Sequence, residues 1–153
     1  MALVGEPLDQ KRNPQNILEA QMSAPYCIAA ALIHGELSPR QFTMEVMKDP
    51  SIARMAQKVT VVWDPSLDVT GNPRPVPAEA IIKMSDGRII TNKVDYQKGT
   101  YLNPLTSGEI EEKFSMCVEG KLSEKEKKNL IDWVDHLEQV EKLHQIRLGG
   151  PDG

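Results

Sequence analysis

The spacing of apolar residues changes character twice along this chain, and the changes mark out its elements. Between Ser23 and Gly35, Tyr26, Ala29, Ala30 and Ile33 share one helical face, while Ile28, Ala31 and Leu32 make the other faces apolar too. A helix apolar nearly all round is a buried one. Ser23 suits its N-cap, Pro25 is tolerated in the first turn, and Gly35 ends it. Two short helices follow, opened by Ser38-Pro39 and carrying Phe42, Val46 and Met47, then by Asp49-Pro50 and carrying Ile52, Met55 and Ala56. The period then drops to two. Lys58 to Trp63 (KVTVVW) is β-branched and alternating, which predicts a strand closed by Asp64-Pro65.

Ser66 to Pro77, with Gly71, Asn72, Pro73 and Pro75, reads as a loop. A hairpin comes next: Ala78 to Met84 and Arg88 to Val94 flank Ser85-Asp86-Gly87, whose Asp-Gly pair suits a tight turn. After a loop from Tyr96 to Pro104, Thr106 or Ser107 caps a helix holding Ile110, Phe114 and Cys117. Ser123 and Glu126 form a capping-box pattern before a last helix. Its apolar stripe runs Leu130, Trp133, Val134, Leu137, Val140 and Leu143, before Gly149-Gly150-Pro151. Upstream, residues 16–22 make a short helical turn, and the first fifteen residues, with Pro7 and Pro14, read as an extended lead-in. The order is α+β: helices flanking a small, mainly antiparallel sheet, followed by C-terminal helices. The divisions are 1–15, 16–104 and 105–148.

Composition narrows the function classes. With 18 basic and 22 acidic residues in 153, the net charge is −4, which argues against a nucleic-acid or acidic-membrane surface. Aromatic residues make up 5%, too few for a base-stacking platform. No apolar run approaches the roughly 20 residues of a membrane span, and no secretory leader opens the chain, so a cytoplasmic protein is expected. Cys27 and Cys117 are far apart and read as reduced, mostly buried thiols, with a disulfide as the alternative. His34, His136 and His144 lack the spacing of a metal set, so no metal site is expected. No P-loop, GxGxxG, GxSxG or HExxH occurs.

The informative clusters are non-periodic. They are Ala20-Gln21-Met22-Ser23-Ala24-Pro25-Tyr26 with the alanine-rich helix and Gly35, then Asp49-Pro50 with Lys58-Val59. Lys98-Gly99, Asn103-Pro104-Leu105-Thr106, Ile110 and Lys113-Phe114 complete the series. In order and spacing these resemble the C-terminal part of the MmgE/PrpD family, which includes 2-methylcitrate dehydratase, cis-aconitate decarboxylase and iminodisuccinate epimerase. Met22 and Ala24 stand where the family usually has Phe and Leu, and Thr100 where Asp is common. Family members are much longer chains, with a large helical domain, a smaller α+β lid, and C-terminal helices that return to the helical domain.

The resemblance implies that this chain corresponds to the latter part of the lid and the returning helices. It implies a cofactor-independent lyase acting on a polycarboxylate such as 2-methylcitrate, with the catalytic base on the helical domain that has no counterpart here. By itself the chain is then expected to be inactive, needing the helical domain or a homo-oligomer partner. The alternative is a non-catalytic structural or interaction module, or a truncated relic, that docks on a helical partner. Tyr26 matches a substrate-site tyrosine, and a phenol at a helix N-terminus can act as hydrogen-bond donor or general acid. The competing reading of Tyr26 is a core ring whose hydroxyl finds a backbone acceptor. Ser23 is a second substrate-binding candidate, although capping accounts for it. Lys98 is a third, beside the reading of an ordinary surface lysine. Trp63 and Trp133 read as packing anchors, and the 125–128 charge run as a solvated helix face.

Overall fold

The computed structural model describes residues 2–67 and 77–139. Chain contacts divide it into two compact units, Met1–Asn103 and Pro104–Gly153. The architecture among the described residues is α+β, with seven α-helices and one two-stranded antiparallel sheet.

The first unit is built around the helix Ala24–His34 (α4). Ser23 caps it with a side-chain oxygen that accepts from the Tyr26 N–H, and Gly35 ends it at φ +76°, where a Cβ would be strained. Three short helices precede it: Ala2–Gly5 (α1), Leu8–Arg12 (α2) and Ile17–Gln21 (α3). All three pack on α4. Residues 1–15 were expected to be extended, and helices stand there instead. Long-range ties explain the difference. The Lys11 ammonium donates to the carbonyls of Leu3 (2.7 Å) and Met22 (2.6 Å), and the Arg12 guanidinium donates to Val59 Oxygen from Nε (3.1 Å) and Nη2 (2.6 Å). Helices this short are unstable alone and form here on tertiary support.

The expected helix after Ser38-Pro39 is broken into two 3₁₀ turns, Pro39–Gln41 and Val46–Lys48. Pro50–Ala56 (α5) follows, capped by Asp49 Oδ1, which accepts from the Ser51 N–H at 2.7 Å. α5 lies along α4; Ile52 and Ala56 of α5, Tyr26, Ala29 and Ala30 of α4 and Ala20 of α3 form the buried core. Phe42, Val46, Met47 and Met55 close its rim. Alanines at the contact let the two backbones approach closely.

The strand expected at Lys58–Trp63 is absent. The segment pairs with no strand among the described residues, and Val62 and Trp63 are exposed rather than packed. A β-branched pattern makes a strand only where a ladder partner is available, and here the Val59 carbonyl is taken by Arg12. Asp64 instead caps a 3₁₀ turn, Pro65–Leu67, through the Ser66 N–H. The hairpin forms as expected from Ala78–Lys83 (β1) and Ile89–Val94 (β2), paired Ala78 to Val94 through Lys83 to Ile89. Gly87 takes φ +86° in its turn, and Asp86 braces the turn by accepting from the Arg88 N–H.

The second unit holds Ser107–Cys117 (α6) and Glu124–Asp135 (α7). Thr106 with Glu109 and Ser123 with Glu126 form reciprocal capping boxes at their starts. The described helix ends at Asp135, with a 3₁₀ turn at Leu137–Gln139. Val140, Leu143, His144 and the Gly149-Gly150-Pro151 stop lie outside the described residues. No helix among the described residues is long and apolar enough to cross a membrane.

Candidate functional site around the start of α4

Ser23, Pro25 and Tyr26 sit at the first turn of α4, where sequence and geometry agree most closely. Ser23 is buried. Its Oγ accepts from the Tyr26 N–H at 3.0 Å and donates to the Lys11 carbonyl. The serine therefore satisfies one helix donor and ties α2 to α4 with the same atom.

The Tyr26 ring is 2% exposed, with its centroid 6.0 Å from that of Phe42 in a tilted pair. Its hydroxyl donates to the Gln41 carbonyl at 2.5 Å. Gln41 is itself fixed, because its Oε1 accepts from the Ser38 N–H (2.8 Å) and the Ser38 hydroxyl (3.0 Å). This is the core geometry that competed with the substrate-donor reading of Tyr26: a filled interior and a backbone acceptor. Burial pushes the phenol above its ordinary value, and the neighbouring Cys27 adds to the shift. Burial also raises the Cys27 thiol, which points at the Ala20 carbonyl at 3.5 Å. Both shifts favour the protonated forms of these side chains.

Lys98 lies elsewhere, exposed on the turn between β2 and α6. Gly99 at φ +90° shapes that turn, and its N–H donates to the Asn103 carbonyl at 2.8 Å. The Asn103 amide donates to the Tyr96 carbonyl at 3.0 Å. The structure thus joins Ser23 and Tyr26 through one hydrogen bond. Lys98 is exposed, whereas the Tyr26 phenol is buried. Residues not singled out by sequence pattern tie the first unit together: Lys11, Arg12 and Gln41, whose partners lie 11, 47 and 15 residues away. No local motif signals such pairs. Among the described residues, no group of three His, Cys, Asp or Glu side chains could hold a metal ion.

The model of the MmgE/PrpD C-terminal domain matches residues 3–139 of this chain. The chain belongs to the MmgE/PrpD family, through that family's C-terminal domain. No curated protein matches it.

Proposed function

We propose that this chain is the C-terminal, lid portion of an MmgE/PrpD-type lyase that needs no cofactor and acts on a polycarboxylate such as 2-methylcitrate. In the dehydration, a base removes a proton beside a carboxylate, and hydroxide leaves the neighbouring carbon with a proton from an acid. The observation that carries the reading is the state of the Ser23–Tyr26 motif. Both hydroxyls are donated to backbone carbonyls, so the motif supplies a rigid helix start and no convergent acid–base pair. On this reading the base and most substrate-holding cations come from the family's helical domain. Tyr26 and Ser23 reach substrate only if the Gln41 and Lys11 carbonyls release them, while exposed Lys98 is the cation offered to a substrate carboxylate. The test is to incubate these 153 residues alone with 2-methylcitrate and follow the unsaturated product. No turnover is expected, and turnover by the chain alone would overturn the assignment of the base to another part of the enzyme.

A second reading, an interaction module that docks on a helical partner or on another copy, is favoured by Ile28 and Leu32 of α4. They stand 42% and 45% exposed on an otherwise apolar helix. Sedimentation separates the two readings: a monodisperse monomer with little dye-binding apolar surface counts against docking.

A further inference from the structure

Where α5 runs beside the end of α4, a cavity of about 250 Å³ is lined by Ile33, Ser51, Arg54, Met55 and Lys58. Ser51, Arg54 and Met55 stand on α5, and Lys58 lies in the turn two residues past its end, so the cavity runs along α5 and onto that turn. Ile33 and Met55 supply an apolar floor. Arg54 and Lys58, four residues apart at its edge, form no ion pair among the described residues. Arg54 and His34 act on the Asp49 carboxylate by charge. Asp49 is already occupied at the helix cap, where one oxygen accepts from both the Ser51 N–H and the Ser51 hydroxyl at 2.7 Å. Two cations that line one cavity together with aliphatic side chains match two negative charges separated by a short methylene body.

We propose that this cavity is a binding site for a small organic dianion, of the size and shape of a short-chain dicarboxylate, separate from the Ser23–Tyr26 motif. Arg54 takes one carboxylate through its guanidinium fork and Lys58 the other as a point charge, while the methylenes lie on Ile33 and Met55. The site stands independently of the lyase reading, since it uses none of that motif's residues.

The test is titration of the full chain with glutarate, followed by nuclear magnetic resonance of the Ser51 and Met55 amides and the Ile33 methyl groups. Saturable shifts confined to these groups are expected. Arg54→Gln and Lys58→Gln should each weaken binding roughly two- to fivefold, the range of solvent-exposed charge pairs, and the double variant should abolish saturation. Both side chains are exposed, so retained amide dispersion shows that the variants still fold. Inorganic phosphate and hexanoate serve as the other two arms, one lacking the apolar body and one lacking the second charge; weaker binding of both supports the proposal. Equal binding of phosphate would reduce the site to bare charge attraction and overturn it. Absence of saturation with glutarate, or shifts that survive in the double variant, would overturn it as well.

Discussion

In the first unit Ile52, Ala29 and Ala30 lie in a closed core, whereas α6 and α7 in the second unit contain no buried residue. Apart from α4, the helices of the first unit are short, and the unit is tied by bonds that cross long stretches of sequence, such as Arg12 to Val59 and Tyr26 to Gln41. Those of the second unit are fixed by neighbours in sequence: the Thr106–Glu109 and Ser123–Glu126 boxes and the Lys127–Glu124 pair at 2.6 Å. The contrast separates two sources of helical order. One depends on burial and arrives with the tertiary fold; the other is local and persists as far as caps and side-chain pairs sustain it.

The largest test of this contrast is Ile52→Ala. The side chain is fully buried between α4 and α5, so the change should cost about 2–5 kcal/mol, read from the urea midpoint of the first unit. Signals from Trp133 in α7 should keep their own transition. A common, equally shifted transition for both units would show that they unfold as one and would erase the contrast.

Tyr26→Phe comes next. It leaves the ring in place and strips the Gln41 carbonyl of its donor, at a cost of about 1–3 kcal/mol. The wild-type effect also has a pH signature. Because the folded phenol has a raised pKa, its contribution is fully present below the ordinary value of 10.0 and is lost as pH rises through the folded value. Alkaline denaturation curves should therefore converge for wild type and variant. An alkaline loss of the same size in Tyr26→Phe would assign it to other groups.

The smallest expected effect is Ser123→Ala, which removes one half of the α7 capping box and should cost about 1 kcal/mol. Amide exchange in the first turn of α7 should speed up while the Tyr26 environment stays unchanged. Protection loss spreading through α4 would break the division between local and tertiary order.

The same division explains what the amino-acid pattern could and could not foretell. Caps at Ser23, Asp49, Thr106 and Ser123 were legible because donor and acceptor lie within three residues of each other. The hairpin was legible because Asp86-Gly87 and its flanking apolar runs are contiguous. The strand expected at Lys58–Trp63 fails because its pattern describes a preference, and no ladder partner pairs with it among the described residues. The helices in residues 1–15 were missed because Lys11 and Arg12 support them through carbonyls that any residue carries. At the candidate site, the Ser23 cap and the identity of Tyr26 as its hydroxyl-bearing neighbour could be read. The burial of that hydroxyl against Gln41 could not, since its partner is backbone 15 residues on.

The ties that hold the first unit together share an asymmetry. Lys11, Arg12, Ser23 and Tyr26 each donate from a side chain to a main-chain oxygen. Point substitution can delete the giving end of such a link and never the receiving end. Residues at Leu3, Gln41 and Val59 are thereby at liberty to drift in identity as far as these links are concerned, whereas each giver is a single point of failure with no compensating exchange open to it.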